Sequence, residues 1–479
     1  MGAFLFLLVA GGVVECWRLA ALHDPAIWGH LGIGGWILGH RSLPESGVFS
    51  QAVGLPWKDF SWGFDLLAAV MYRILGLGAL PALLILLRMG LAVVTFQLAG
   101  GWRNFWCAAG LSAISQYILF GAVPLAGFVS VLFWGAVLIL LLEWRGSKKV
   151  RWFILPGVFF LWANLEIGFV YGIILFVMFL IVLVIEALDE SGKRRWLERA
   201  AARIPFAPAV WVGAACFVAG CLTPNGLHAY GAFFADESSA INANFASYHA
   251  MGFRQPQDYV LMLLAMAAFL TLGIIRSRDL FSIALLSGCA ALAFFAQREG
   301  WLLALASVAV LGRTILRTRK TAEAELAENW NWQRLTLAGG GVALVFVLFA
   351  IRVPSNQSVL LAKVAEKLPV RAADFLRQHP QPAPFFNPYQ WGGFLSWYLP
   401  EYPVGMDERR GLYPEREELD YFLAMNAEIP YKSFLPMNQA RTFLMDKAGT
   451  MGGAFRGVAG FQVLYEDHLA IVYAHEVRE

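Results

Sequence analysis

Apolar runs of membrane length recur along the chain at 2–22, 63–79, 81–100, 124–143, 152–163, 168–188, 204–222, 259–275, 279–296, 300–313 and 335–351. A bilayer-spanning helix needs roughly 20 mainly apolar residues, so these segments predict about eleven transmembrane helices, two of them short. The stretch 104–120 carries Ser112, Ser115 and Gln116 and predicts a half-inserted or surface helix. Past about residue 353 the pattern changes. Helical apolar spacing over 359–378 is interrupted at Pro369, short strands are predicted at 385–386 and 404–406, and 460–475 predicts two strands turning at 466–468. The expected fold class is a polytopic α-helical membrane protein: a transmembrane domain over 1–353 with outward loops at 23–62 and 223–258, then a small extracytoplasmic α/β domain over 354–479.

Composition agrees: 58% of the 479 residues are hydrophobic, 15% are charged, and the mean hydropathy is +0.58, far from soluble averages. No basic stretch precedes the first apolar run and no small-x-small cleavage site follows it, which predicts a retained span. The five cysteines all lie in apolar segments, so no structural disulfide is expected. Basic loops at 145–151, 193–203, 276–278 and 313–320 fall on one side of the eleven-helix scheme. Lys and Arg stay cytoplasmic, which puts the amino terminus inside and both outward loops and the tail on the far side of the membrane.

The loop HDPAIWGHLGIGGWILGHRSLPESGVFSQAVGLPWKDFSW (23–62) is the densest set of acids, histidines and tryptophans near a predicted membrane face. Asp24 with Pro25 suits a helix start, where an acid sits favourably at the N-terminus. Trp28, Trp36 and Trp57 suit anchors of a surface helix at headgroup level. As chemistry, Asp24 is a carboxylate available as general base or metal ligand toward a lipid-borne substrate. As architecture, it is a helix cap.

The loop resembles the first external loop of GT-C superfamily glycosyltransferases, the bacterial relatives of protein mannosyltransferases and oligosaccharyltransferases. The match runs through Asp24, Pro25, Trp28, His30, Leu31, Gly34 or Gly35, Trp36, Ile37, Leu38 and His40, then Pro44, Phe49 and Ser50, then Pro56, Trp57 and Trp62. Further likeness lies in WANLEIGF (162–169), LTPNGLHAY (222–230), FNPYQWGGF (386–394) and VGMDERRGLY (404–413). The resemblance implies a sugar or glycan transferred from a polyprenyl-phosphate-linked donor to an exported glycan, lipid or protein acceptor at the outer face of a bacterial inner membrane. It gives Asp24 the catalytic carboxylate role. Substrate contacts are then expected from His30, Asp59, Glu166, Arg254, Arg298 and Asp407, with the two arginines suited to a departing phosphate.

The chain departs from the family at Glu166, where His is common, and at Gly47, where an acid is expected; Asp59 and Glu45 are acids of the same loop. A divalent metal ion is therefore an open expectation. Arg73 and Arg88 are expected to snorkel or to pair with Asp65. Glu166 reads equally as a functional acid or as part of a polar pair closing a helical hairpin. Asp407 with Arg409 and Arg410 reads as a structural ion pair or as a ligand contact beside exposed aromatics. No sequence feature supports nucleic-acid binding. A catalytically inactive scaffold or accessory subunit of the same fold is the alternative to the enzyme, and a transporter is disfavoured because no internal duplication is visible.

Overall fold

The computed structural model describes residues 2–121, 123–146, 152–191, 204–318, 332–354 and 356–476. Helix stands at each of the eleven apolar segments: Gly2–Arg18, Trp62–Leu75, Ala79–Leu98, Gly127–Gly146, Leu155–Leu165, Phe169–Ser191, Phe206–Cys221, Pro256–Ile274, Leu280–Phe295, Gly300–Thr318 and Trp332–Arg352. Length and composition are stricter than helicity. Among the described residues four helical runs are long and apolar enough to cross a membrane: Trp62–Leu98, Gly127–Gly146, Phe169–Asp189 and Pro256–Ile274. A bent pair, Gly339–Arg352 with Gln357–Val364, makes five if it counts as one span. The chain is thus a mostly helical integral membrane protein, with a lower secure span count than eleven.

The helix starts follow local chemistry. Pro256–Ile274 opens on proline after Gln255, which forms a reciprocal capping box with Asp258. Gln357–Val364 opens where the Asn356 side chain accepts the Ser358 N–H at 2.9 Å. All five cysteines are free.

Cα packing divides the chain into two compact units that do not follow the boundary expected at 353/354. One comprises Met1–Trp17, Leu84–Tyr230 and Phe245–Arg352; the other comprises Arg18–Leu83, Gly231–Asn244 and Val353–Glu479. The loop 23–62 therefore belongs with the tail.

The first unit is an assembly of helices with ion pairs inside it. Arg145 was expected as a loop cation, but it is buried, donating to Glu186 Oε1 at 2.7 Å and Asp279 Oδ1 at 2.9 Å. The remaining cations of that loop, 147–151, lie outside the described residues, as do the whole basic stretch 193–203 and positions 319–320. Arg88 does not pair with Asp65; it faces Glu15 at 3.7 Å, donates to the Gly11 carbonyl at 3.3 Å and lies 4.6 Å from the Phe120 ring. The helix Phe105–Ile118 buries Ser112 and Ser115 and exposes Trp106.

The second unit has a four-stranded mixed sheet of order β1-β2-β4-β3, from β1 (Phe385–Phe386), β2 (Thr442–Asp446), β3 (Phe461–Glu466) and β4 (Ala470–His475). β1 runs parallel to β2; β4 is antiparallel to both β2 and β3. The strand expected at 404–406 is reduced to a bridge, Ser50 to Val404. The loop 23–62 forms the helix Ala26–His40, but Trp28 and Trp57 are core residues and not headgroup anchors. Trp28 packs on Phe394 at 5.4 Å and Trp397 at 4.8 Å. In the FNPYQWGGF stretch, Asn387 is fully buried and spans two segments, donating to Met406 O at 2.9 Å and accepting from Gly405 N at 2.8 Å. These residues are architectural.

Candidate functional site

Asp24 stands just before the helix Ala26–His40, half-buried, its Oδ1 accepting the Ala26 N–H at 3.1 Å. An acid there is favoured by the orphan N–H groups and the helix dipole. One turn on, Gly29 lies against Gly393 of the helix Gly392–Tyr398; a β-carbon on Gly393 would come within 3.0 Å of the Gly29 nitrogen. That backbone approach brings in Glu408, whose Oε2 accepts the Gly393 N–H at 3.0 Å. Burial pushes the Glu408 carboxyl up to about 8, with the charges of Asp407 and Asp24 adding to the effect. At neutral pH the site therefore holds a protonated acid within the field of Asp24.

The same helix carries His30, whose Nδ1 lies 2.6 Å from Asp65 Oδ1. A side chain on Gly34, one turn further, would collide with the Asp65 backbone carbonyl, so glycine is what lets the helices Ala26–His40 and Trp62–Leu75 approach closely enough. Phe64 closes the imidazole edge-on at 5.1 Å. Asp59, buried in the preceding loop, accepts the Ser61 N–H at 2.8 Å. Burial raises the Asp59 carboxyl to about 8, helped by the Asp65 charge. Burial draws His30 downward, but Asp65, and then Asp59 and Asp24, more than offset it and hold the imidazole at about 9.

Asp407 is buried and taken up by Arg409, with Nε at 3.0 Å from both carboxylate oxygens and Nη2 at 2.6 Å from Oδ2. Arg409 also donates to Val48 O at 2.6 Å and lies over the Trp57 ring at 5.4 Å, while Trp57 Nε1 donates to Arg410 O at 3.1 Å. Arg410 reaches Asp236 Oδ1 and Asn242 Oδ1, both at 3.0 Å. This cluster ties the tail to the first loop, which is the structural reading of the DERRG stretch.

The structure thus gathers Asp24, His30, Asp59 and Asp407 in one unit and adds two acids that sequence reasoning missed, Asp65 and Glu408. Glu166, Arg254 and Arg298 belong to the other unit. Glu166 closes a helical hairpin: its Oε2 accepts the Ser130 hydroxyl and the Gly168 N–H, the latter at 2.7 Å, and Trp162 donates to Ser130 at 2.9 Å. Arg298 donates to Glu299 at 2.7 Å and lies 3.9 Å from the Tyr248 ring, and Tyr171 donates to the same Glu299 oxygen at 2.7 Å. Its charge is already compensated. Arg254 is exposed. Among the described residues no group of three or more His, Cys, Asp or Glu side chains is placed to hold an ion.

No family model and no curated protein matches the sequence. Among solved structures, ArnT from Cupriavidus metallidurans bound to undecaprenyl phosphate is similar at 14% identity and a TM-score of 0.45, covering 98% of this chain and 97% of that one. The apo state of ArnT from the same organism is similar at 15% identity and a TM-score of 0.44, covering 99% and 98%. These neighbours are glycosyltransferases of the GT-C family, the superfamily whose first loop the 23–62 pattern resembles. Likeness of this depth leaves the chain's own reaction unassigned.

Proposed function

We propose that this chain is a glycosyltransferase of the bacterial inner membrane. It moves a sugar or glycan from a polyprenyl-phosphate-linked donor to an exported glycan, lipid or protein acceptor, with the amino terminus cytoplasmic and the tail on the outer side. The observation that carries the reading is Asp24, held at the N-terminus of the helix whose Gly29 abuts Gly393, with the half-buried Glu408 accepting the Gly393 N–H in the same unit. Two carboxyl groups in opposite protonation states supply a base and an acid. Asp24 takes the proton of the acceptor hydroxyl as its oxygen bonds to the anomeric carbon. The bond from that carbon to the phosphate oxygen breaks, and Glu408 gives its proton to the departing oxygen.

The test is sugar transfer in isolated membranes supplied with radiolabelled polyprenyl-phosphate sugars, comparing wild type with Asp24→Asn at matched expression. Loss of a general base lowers the rate roughly 10²- to 10⁴-fold. A catalytically silent scaffold is the second reading, favoured by the departures from the family pattern at Gly47 and Glu166. No transfer by either protein across several sugars would move the conclusion there, and equal transfer by both would remove Asp24 as the base.

A further inference from the structure

We infer that the helix Trp62–Leu75 does not cross the bilayer but lies on its surface beside the helix Gln357–Val364, the two forming one docking face for anionic phospholipid headgroups. The helical run Trp62–Leu98 has 37 residues, about 55 Å at 1.5 Å per residue, against a hydrocarbon core of about 30 Å. A single crossing takes about 20 residues, and the helix Ala79–Leu98 supplies them by itself. The residues before the turn Gly76–Gly78 are surplus to that span, and their contacts run to the tail and the first loop. Leu77 N donates to Gln357 Oε1 at 2.7 Å, Tyr72 packs edge-on against Trp397 at 5.6 Å, and Gly34 abuts the Asp65 backbone. Residues 18–83 and the tail are accordingly parts of one compact unit.

Held in this way, the helix Trp62–Leu75 has two faces. Phe64, Asp65, Ala68 and Ala69 are buried, whereas Leu67, Val70 and Ile74, spaced three and four apart, are exposed, Ile74 at 75%. That spacing makes a single apolar stripe along the helix. Leu75 and, on the tail helix, Val359 are exposed as well. An uncovered apolar stripe marks an interaction surface, and the bilayer is its occupant because the same chain enters the apolar helix Ala79–Leu98 after a turn of three residues. Charge then selects the lipid. Over 62–75 and 356–368 the acids are the buried Asp65 and the exposed Glu366, while Arg73, Lys363 and Lys367 are all exposed. The Lys363 carbonyl accepts from His23 Nε2 at 3.0 Å, and its Nζ pairs with Glu366 at 2.7 Å, both side chains about half exposed. An exposed pair of that kind contributes little and exchanges readily with another anion. The excess of cations beside an apolar stripe is what an interfacial helix uses to hold anionic headgroups while its apolar side enters the acyl boundary. This face takes over the anchoring that the sequence suggested for Trp28 and Trp57, which are core residues.

The experiment is carbene labelling of the full-length protein in nanodiscs of phosphatidylcholine with a minority of phosphatidylglycerol, labelled peptides being read by mass spectrometry. With the diazirine beside the glycerol, residues 67–74 take up label; with the diazirine at the acyl terminus, 84–98 take it up and 67–74 do not. A second arm puts the diazirine on the headgroup of phosphatidylglycerol. Arg73→Gln, Lys363→Gln and Lys367→Gln, all surface substitutions that the fold tolerates, each lower headgroup labelling of 62–75 and 356–368 roughly 5-fold. The same diazirine on the phosphatidylcholine headgroup gives labelling that none of the three changes. Equal acyl-terminal labelling of 62–75 and 84–98 would make Trp62–Leu75 part of a span and overturn the inference. An absence of lipid label from 62–75 would overturn it as well, giving the stripe to a second copy of the chain or to another protein. Phosphatidylglycerol labelling that survives all three substitutions unchanged would remove the anionic headgroup as the ligand. None of these readouts involves sugar transfer, so each outcome is distinct from a failure of the reaction proposed for Asp24.

Discussion

Single residues decide whether the site can form. Gly34 sets the approach of two helices, because any β-carbon there meets the Asp65 carbonyl. Gly34→Ala should therefore destabilise the protein by about 1–3 kcal/mol, as overpacked contacts do. It should also loosen the 2.6 Å contact of His30 with Asp65, visible as a lower denaturation temperature together with a changed His30 ring signal. The fork between Arg409 and Asp407 is the other sensitive point. Arg409→Gln leaves a 2%-exposed carboxylate without its cation; a broken buried pair costs about 3–5 kcal/mol. Thermal denaturation of the purified variant checks this, and a loss below about 1 kcal/mol would mean that the pair behaves as a surface bridge. Asp24, His30 and Asp59 were legible in the sequence because they fall in one contiguous loop pattern. Asp65 and Glu408 were not, because the choice of partner is tertiary. Asp65 sits among apolar neighbours that suggested Arg73 or Arg88, yet Arg88 faces Glu15 and Asp65 turns to a histidine 35 positions earlier.

At the level of elements, the site is a joint between the first loop and the segment after Met406. Val404 accepts from Gln51 N and donates to Phe49 O, both at 2.9 Å, and Arg409 reaches Val48. A strand was expected at 404–406, and the observed bridges show its hydrogen bonds spent on the loop instead of on the sheet. β2 was not foreseen at all. Its run TFLMD is short and almost wholly buried, and periodicity cannot distinguish such a run from a piece of helix. The joint holds three groups that bind protons more tightly in the folded state: His30 at about 9, Asp59 at about 8 and Glu408 at about 8. All three are raised above their unfolded values, so the folded chain binds more protons and stability falls as pH rises. For the two carboxyls the contribution is complete below about pH 4 and is lost on passing about 8. For the imidazole it is complete below about 6.5 and is lost on passing about 9. Denaturation temperatures should therefore drop from about pH 5 to about pH 9, and Glu408→Gln, neutral throughout, should shrink that drop. An identical slope in the variant would show that Glu408 is ionised in the folded protein.

For the whole molecule, apolar length located the helices, since each predicted segment is helical, but it could not say which segments pack together. The linear division at 353/354 followed the change in pattern, whereas the compact unit draws on 18–83, 231–244 and 353–479. The tail seemed long enough for its own core, yet that core is shared. Phe394 and Trp397 pack on Trp28, Gly393 lies against Gly29, and Arg409 makes its hydrogen bond to Val48. Expressed alone, 354–479 would expose those aromatics to water. Losing the burial of one large side chain costs about 1.5–3 kcal/mol, and several such losses are comparable with the whole stability of a small domain. The isolated tail should therefore bind a hydrophobic dye and unfold without a cooperative transition. A fusion of 18–83 to 353–479 through a flexible linker should regain a sharp transition and lose the dye signal. A sharp transition in the isolated tail would instead make it an independent domain, and the contacts with the first loop would then be an interface between domains and not a common core.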